Sequence, residues 1–281
     1  MELEEYYPTA CERWILTHHA RDIADLFVGE PFNLIDLGSG DGSKTNVLLS
    51  ELTARKHDFT YIPIDISEAA VQDQTKQLRA DFPELEVRGI VAEYFNGLMW
   101  HSQFANKRNL VLFLGSNVGN FRRSEARTFM RTMWNFLQPG DLVLTGFDLK
   151  KNIDVMMGAY NDSLGITKQF NMNLLHRINK ELGGNFDISK WRHYATYDLF
   201  SGAMESYLVS RVAQDVEVHA INQVFHFDPF EPIHTEYSYK FLESDIISLA
   251  EDTGFVIEQQ YYDDRRYFLD SLWRVEKRIG L

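Results

Sequence analysis

Short apolar runs alternate with amphipathic stretches between residues 33 and 148 of this chain of 281 residues. The runs are almost continuously apolar, as strands buried on both faces are, and the stretches between them have the period of helices. This order predicts an α/β fold, in which a doubly wound parallel sheet is covered by helices on both faces. The predicted strands are 33–38, 59–65, 86–93, 109–115 and 141–148.

The pattern changes after Asp148. A helical region predicted at 153–183 is followed, from about residue 194, by runs that alternate between polar and apolar residues, as in hairpins. A helix at 243–253 and a strand near 255–262 then indicate a return to the sheet. We therefore predict an N-terminal helix and a first domain over 1–150, an inserted α+β unit over 151–241, and a return to the sheet over 242–281.

Composition and charge exclude several classes of protein. Acidic residues outnumber basic ones by 41 to 28, and the net charge of −13 opposes binding to a phosphate backbone. The single cysteine, Cys11, excludes an intrachain disulfide and a multi-cysteine metal site, and no HExxH spacing is present. The acidic start and the lack of an apolar run of ~20 residues argue against a signal peptide and a membrane span. We expect a cytoplasmic protein without a nucleic acid, membrane or metal partner.

A glycine-rich loop, Asp36–Thr45, lies between the first predicted strand and a predicted helix. Glycines at this position let the backbone approach a ligand at the N-terminus of a helix. The dinucleotide-binding pattern GxGxxG and the phosphate-binding pattern GxxxxGK[ST] both fail at Ser43. The loop therefore binds a ligand of another kind, binds phosphate through a variant motif, or is a purely structural turn.

Acidic residues favour a cationic cofactor. Asp36 and Asp41 in the loop would repel a triphosphate but tolerate a sulfonium. Asp65, at the end of the second predicted strand, can accept hydrogen bonds from both hydroxyls of a ribose. Together these residues predict that S-adenosylmethionine binds here. Glu93 and Tyr94 either hold the adenine or form an ordinary strand end with a core aromatic.

Further motif segments read EYYPT at 5–9, LFLGSNVGN at 112–120 and IHTEYSYKF at 233–241. With the glycine loop they closely resemble the histidine-specific methyltransferase family, whose best-known member makes trimethylhistidine on the way to ergothioneine. Tryptophan-derivative N-methyltransferases of fungal alkaloid pathways look like relatives. The resemblance runs over nearly the whole chain, and it implies a Rossmann-like class I methyltransferase fold with S-adenosyl-L-methionine as the cofactor.

The resemblance also implies a site, in which the cofactor lies on the glycine loop and the inserted unit binds the substrate. The implied cofactor-binding residues are Gly38, Ser39, Gly40, Lys44, Asp65, Glu93 and Tyr94. The implied substrate-binding residues are Tyr7, Asn120, Tyr160, Glu236 and Ser238. Tyr7 and Asn120 would position the substrate, with Tyr6 as the alternative to Tyr7.

These side chains suit a zwitterionic amino acid. The Asn120 amide and the Tyr160 hydroxyl can bind a carboxylate without an arginine, and Glu236 can accept from an imidazole N–H, with Ser238 completing its hydrogen bonding. Methyl transfer from a sulfonium is a single in-line displacement, so the protein has to align the amine and the methyl group and needs no covalent nucleophile. Taken singly, Asn120 can be a helix cap, Tyr160 a packing residue, and Glu236 with Ser238 a solvated strand face.

Two departures from the family bear on the substrate. The chain starts almost at its Tyr-Tyr-Pro-Thr segment, whereas family members carry further pocket residues before it, and Ser206 stands where they often carry a Met near the imidazole. We predict N-methylation of the α-amino group of a free amino acid, with L-histidine favoured. The alternatives are another amino acid or amine as substrate, a homologue that binds the cofactor without catalysis, and a P-loop phosphotransferase.

Overall fold

The computed structural model describes residues 5–102 and 107–277 of the chain. The backbone divides into two compact units. The sheet unit comprises Pro8–Leu149 and Phe241–Leu281, and the inserted unit comprises Met1–Tyr7 and Lys150–Lys240. The division predicted from the sequence, with the role it assigns to each part, stays a prediction. Among the described residues, no helix combines the length and the apolar character that crossing a bilayer requires.

The elements follow one another along the chain in three stretches. The first holds α1 (Tyr7–Asp25), β1 (Phe32–Leu37), α2 (Thr45–Ala54), β2 (Phe59–Asp65), α3 (Glu68–Asp81), β3 (Glu86–Val87), β4 (Ile90–Val91), α4 (Tyr94–Ser102), β5 (Arg108–Phe113), α5 (Arg123–Phe136) and β6 (Leu142–Asp148). The second holds α6 (Ile153–Tyr160), α7 (Ile166–Leu182), β7 (Trp191–Asp198), β8 (Ala203–Ser210), β9 (Gln214–Val218), β10 (Gln223–Phe227) and β11 (Pro232–Tyr239). The third holds α8 (Glu243–Thr253), β12 (Phe255–Tyr262) and β13 (Phe268–Val275).

The central sheet has the strand order β12-β13-β6-β5-β1-β2-β3, and β4 also pairs with β2. The strands from β6 to β3 run parallel to their neighbours, whereas β13 runs antiparallel to both β6 and β12. Every residue of β1 and β6 is buried, because both faces at the centre of the sheet are covered. The predicted α/β fold with a mostly parallel sheet is confirmed.

Two details of the sheet differ from the sequence prediction. The segment predicted as one strand at 86–93 forms two strands of two residues each, β3 and β4, because Arg88 and Gly89 interrupt the apolar run between them. The antiparallel strand β13 was not predicted, since Asp270 and Ser271 break its apolar pattern although both are fully buried. The sheet is therefore one strand wider at its antiparallel edge than the pattern of apolar runs indicates.

The inserted unit contains a three-stranded antiparallel sheet, β11-β8-β7, and a hairpin of β9 and β10. Helices α6 and α7 contact β7 and β8. The apolar core of this unit comprises Met172, Leu175, Phe186, Trp191, Leu208, Val216 and Val218. A register shift between His234 and Glu236 marks a β-bulge in β11. Bulges re-aim side chains, and this one precedes two of the predicted site residues.

Asp162 separates α6 from α7, which the sequence analysis predicts as one helical region. Its carboxylate accepts hydrogen bonds from the backbone N–H groups of Ile166 and Thr167 at 2.8 and 2.7 Å. Burial alone would raise the pKa of Asp162, but these N–H groups outweigh burial and lower it. The charged carboxylate thus starts α7 where the N-terminal N–H groups of a helix lack partners.

Candidate active site

The glycine loop connects the end of β1 to the start of α2. Gly38, Gly40 and Gly42 all have positive φ, at +72°, +55° and +69°. Residues with a Cβ rarely adopt this conformation, so the loop needs glycine there. The space beside Gly40 is open for at least 4 Å, whereas a Cβ on Gly42 would lie 2.2 Å from Gln74 Nε2. Gly40 therefore leaves its backbone accessible to a ligand, and Gly42 is required by internal packing.

Asp65 is placed beside the loop by the parallel pairing of β1 with β2. Its Oδ2 accepts from the Gly40 backbone N–H at 3.1 Å, and its Oδ1 accepts from that of Ser67 at 2.9 Å. The carboxylate is half-buried and lies at the C-terminal end of β2. Ligands of open α/β sheets bind at this edge. The structure therefore brings two predicted cofactor residues, Gly40 and Asp65, into contact.

A cavity of about 350 Å³ opens beside Asp65 in the sheet unit. Its lining residues are Gly38, Asp65, Ile66, Glu93, Tyr94, Phe95, Phe121 and Phe129. Four of these are predicted cofactor residues. The other four were not predicted, because single apolar residues have no distinctive spacing in the sequence.

Aromatic rings form one wall of this cavity. The Phe129 ring of α5 packs 5.7 Å from that of Tyr94, 4.8 Å from that of Phe95 and 4.9 Å from that of Phe121, measured between centroids. Burial, and then the nearby Asp65 charge, raises the pKa of Tyr94, so its hydroxyl stays protonated. Carboxylates on one side and rings on the other suit a ligand with a sugar and a flat heterocycle.

Ser39 faces the protein and is absent from the cavity lining. Its hydroxyl donates to Gln74 Oε1 at 2.8 Å, and Gln74 Nε2 donates to Tyr61 Oη at 2.9 Å. Tyr61 in turn donates to Asp36 Oδ2 at 2.8 Å, and Thr45 Oγ1 donates to the same oxygen at 2.6 Å. Burial raises the pKa of Asp36 in spite of these donors. These hydrogen bonds connect the glycine loop to buried side chains of β1, β2 and α3 and so hold the loop in place.

Lys44 is held by a carboxylate of α1. Its Nζ lies 2.5 Å from Glu12 Oε2, and Glu12 Oε1 accepts from the Gly115 backbone N–H at 2.6 Å. Burial would lower the pKa of Lys44, but the Glu12 charge outweighs burial and raises it. Lys44 does not line the cavity. Its predicted role in binding the cofactor stays a prediction, whereas its pairing with Glu12 was not predicted.

Asn120 ends a short 3-10 turn, Asn117–Asn120, after β5. Gly115 and Ser116, just before this turn, have φ of +78° and +55°, and the strained Ser116 uses its hydroxyl to accept from the Asp148 backbone N–H at 3.1 Å. Asn120 is exposed and is not the cap of α5, because the capping residue is Arg122. The turn therefore presents the Asn120 amide to solvent.

Three polar side chains meet in the inserted unit. Tyr160 ends α6, Ser238 lies on β11, and Lys240 follows that strand. Tyr160 Oη donates to Ser238 Oγ at 2.6 Å, and Lys240 Nζ donates to both oxygens, each at 2.8 Å. All three side chains are buried, and Lys240 is only 1% exposed. The structure thus joins two predicted substrate residues through a lysine that the sequence analysis did not select.

Glu236 lies two residues before Ser238 and therefore on the same face of β11. Its Cα partner on β8 is Ser206, whose buried hydroxyl has no hydrogen-bond partner within the described residues. Burial raises the pKa of Glu236, although the Lys240 charge lowers it. Lys240 follows Ser238 by two residues, just after the end of β11. The alternation of Glu236, Ser238 and Lys240 at every second position was the sequence signal that could have indicated this lysine.

Tyr7, the first residue of α1, is 2% exposed. Its hydroxyl accepts a hydrogen bond from Lys151 Nζ at 2.9 Å, and the same ammonium lies 4.1 Å from the centre of the ring. The Tyr6 ring meets the Tyr160 ring edge-on at 6.4 Å. The Tyr-Tyr pair is thus built into the inserted unit, where Lys151 is a further polar residue not predicted from the sequence.

Known proteins are similar to this chain over most of its length. The family described as histidine-specific methyltransferase, SAM-dependent, matches residues 1–275. A histidine N-alpha-methyltransferase of Mycolicibacterium smegmatis is 31% identical over 252 residues, which are 90% of this chain and 77% of that protein. An L-tryptophan methyltransferase of Psilocybe serbica is 26% identical over 298 residues, covering 96% of this chain and 81% of that protein.

Similarity to solved structures is weaker. A Burkholderia thailandensis 1,6-didemethyltoxoflavin-N1-methyltransferase, solved with S-adenosylhomocysteine, covers 94% of this chain and 81% of that chain with 11% identity and a TM-score of 0.44. At that level it bears on neither the site nor the substrate. The match over residues 1–275 confirms the predicted family, its enzyme class and its cofactor: the chain belongs to the histidine-specific, S-adenosylmethionine-dependent methyltransferases.

Proposed function

We propose that this enzyme methylates the α-amino group of free L-histidine. The observation that carries the proposal is the polar face of β11, where the Glu236 carboxylate and the Ser238 hydroxyl lie side by side in a family of histidine-specific enzymes. A carboxylate and a hydroxyl supply an acceptor and a donor, which are the groups a neutral imidazole needs.

The cofactor site is proposed at the cavity beside Asp65, whose residues fit the group by volume and by chemistry. Asp65 would accept from the ribose hydroxyls, and Glu93 with the ring of Tyr94 would hold the adenine. Gly38 and Gly40 would let the backbone approach the ligand, with Ser39 and Lys44 supporting the loop. When bound, S-adenosylmethionine supplies a methyl group on a sulfonium.

The residues proposed to bind the substrate are Tyr7, Tyr160, Glu236 and Ser238 of the inserted unit and Asn120 of the sheet unit. Glu236 would accept from the imidazole N–H, and Ser238 would donate to the other ring nitrogen. Tyr7, Asn120 and Tyr160 would orient the amino and carboxylate groups, with Tyr160 acting as an acceptor because its hydroxyl proton is donated to Ser238. These residues have to hold the amine lone pair in line with the methyl group and exclude water, because a direct displacement needs alignment and no covalent intermediate.

A methylation assay over the common α-amino acids tests the proposal. The full chain, S-adenosylmethionine and each amino acid are incubated together, and the products are separated by mass spectrometry. Histidine should gain one to three methyl groups. Turnover of another amino acid alone would replace the substrate, and the absence of turnover with every amino acid would contradict the proposal. Cofactor binding by calorimetry without any turnover would favour a non-catalytic homologue.

A further inference from the structure

Lys240 is a buried cation that donates hydrogen bonds to two hydroxyls. Burying an ammonium costs free energy unless hydrogen bonds replace its water, so a lysine with 1% exposure has to be held by specific partners. Its Nζ donates to Tyr160 Oη and to Ser238 Oγ and lies 4.5 Å from the centre of the Tyr160 ring. The family resemblance assigned roles to the two hydroxyls but none to the lysine.

The hydrogen bonds of Ser238 determine what it can offer a ligand. A serine oxygen has two lone pairs and one proton. Tyr160 Oη and Lys240 Nζ both donate to Ser238 Oγ, so its two acceptor positions are filled. Only the proton of Ser238 is left for a ligand, and the hydroxyl therefore acts as a donor.

The neighbouring Glu236 has the opposite character. It lies on the same face of β11 two residues away, and a carboxylate only accepts hydrogen bonds. The two side chains together offer one acceptor and one donor along the strand. A flat ring with one N–H and one unprotonated nitrogen fits this pair, whereas a ring with two N–H groups would meet a second donor at Ser238.

We propose that Lys240 is the positioning residue of the substrate site, which fixes Ser238 as a hydrogen-bond donor so that Glu236 and Ser238 select the neutral imidazole of histidine. The inference rests on the proposed function and adds to it the residue that sets the polarity of the site. Lys240 fixes the hydroxyl by acting through Ser238, so this effect disappears when Ser238 has no hydroxyl, and only the influence of its charge on Glu236 is left.

A double-mutant cycle in the full-length enzyme tests this coupling. Lys240→Met and Ser238→Ala, singly and together, are compared with the wild type for KM and kcat with L-histidine. Each single substitution should raise KM ~10-fold or more through the loss of one charge-assisted or directional hydrogen bond, with a smaller effect on kcat. The double variant should have a KM much closer to that of Ser238→Ala alone than to the product of the two single effects, because Lys240 and Ser238 act largely as one unit.

Matched variants separate positioning from folding. Lys240→Arg keeps a cationic donor and should recover part of the lost KM effect. Lys180→Met removes an exposed lysine of α7 in the same unit and should leave KM, kcat and thermal unfolding unchanged. Calorimetric binding of S-adenosylhomocysteine to each variant confirms that the protein is folded, and if Lys240→Met does not fold, the cycle is run with Lys240→Arg.

Each outcome decides one of the two proposals. Multiplicative KM effects in the double variant, or an unchanged KM in Lys240→Met, overturn the inference while wild-type turnover of histidine upholds the proposed function. If the wild type methylates a different amino acid, the same cycle with that substrate decides the role of Lys240. A wild type that neither methylates nor binds histidine or any other amino acid removes both.

Discussion

Glu12 and Lys44 form an ion pair inside the sheet unit in which the carboxylate is fully buried and the lysine side chain keeps 26% of its exposure. The carboxylate also accepts from the Gly115 backbone N–H, so one side chain of α1 holds both the glycine loop and the segment after β5. The pair thereby links α1, α2 and the end of β5, which are three elements around the proposed cofactor site.

Glu12→Gln should lower the free energy of unfolding by about 1–3 kcal/mol, because it leaves the Lys44 ammonium without its counter-charge and because the partial exposure of Lys44 moderates the cost. Urea denaturation of the two proteins measures the difference. Glu181→Gln, at an exposed pair with Arg177 on α7, is the control and should leave the free energy of unfolding unchanged. Equal stability of Glu12→Gln and wild type would show that the pair contributes nothing.

Gly40→Ala should mainly weaken cofactor binding, whereas Gly42→Ala should mainly lower the stability of the fold. Gly40 has φ of +55° with open space beside it, so alanine costs about 1 kcal/mol of backbone strain and mainly blocks the ligand. At Gly42 the new Cβ meets Gln74, whose hydrogen bonds prevent an easy retreat, so the cost is about 2–4 kcal/mol. Calorimetry with S-adenosylhomocysteine and thermal unfolding separate the effects, and normal cofactor binding by Gly40→Ala would place the ligand elsewhere.

Asp65→Asn should weaken S-adenosylhomocysteine binding ~10- to 100-fold, because the amide cannot accept two charge-assisted hydrogen bonds from ribose hydroxyls. Asp73→Asn, on the exposed face of α3, is the matched control. Titration calorimetry at constant salt gives both affinities. An affinity of Asp65→Asn within twofold of wild type would contradict the proposed ribose contact.

Glu236→Gln should make the enzyme more stable at neutral pH while abolishing histidine methylation. Burial raises the pKa of Glu236 above its ordinary value of 4.5, so the folded state holds this proton more tightly than the unfolded state does. The free energy of unfolding therefore falls as pH rises from 4.5 through the folded pKa, and the neutral glutamine avoids that loss.

Urea unfolding at pH 7 and at pH 4 measures this difference, which should be present at the higher pH and small at the lower. Glu251→Gln, on the exposed surface of α8, is the comparison at the same two pH values. A Glu236→Gln variant that is less stable than wild type at pH 7 would mean that the carboxylate is stabilised by Lys240 more than it is penalised by burial.

The sequence predicts a strand well where its buried residues are also apolar. Strands β1 and β2 are mostly apolar and buried on both faces, so the pattern of apolar runs finds them although β1 also contains the buried Asn33 and Asp36. Strand β13 was not predicted because the adjacent Asp270 and Ser271 interrupt its apolar run. Neither carboxylate oxygen of Asp270 has a hydrogen-bond partner within the described part of the chain. Burial raises the pKa of Asp270 far above its ordinary range, with the Glu12 charge acting in the same direction. A buried acid inside a sheet has no distinctive pattern in the sequence.

The proposed site divides in the same way. Gly40 and Asp65 were predicted because a glycine in a turn and an acid at the end of a strand can be recognised from the sequence alone. Lys44 and Lys240 depend on partners that are 32 and 80 positions away along the chain, at Glu12 and Tyr160. Lys44 was predicted to bind the cofactor and Lys240 was not predicted to have a role, and only the folded chain reveals that both amino groups are held by partners within the protein.

The inserted unit begins and ends at neighbouring points of the sheet unit. Leu149 and Phe241 form an isolated parallel bridge, and the Phe241 backbone N–H donates to the Asp148 carbonyl at 2.9 Å. The chain therefore leaves and re-enters the sheet at one place, where an insertion of another length or sequence can be accommodated without altering the register of β6. In evolutionary terms, this junction allows exchange of the unit that carries the proposed substrate residues while the sheet that carries the proposed cofactor site is inherited intact.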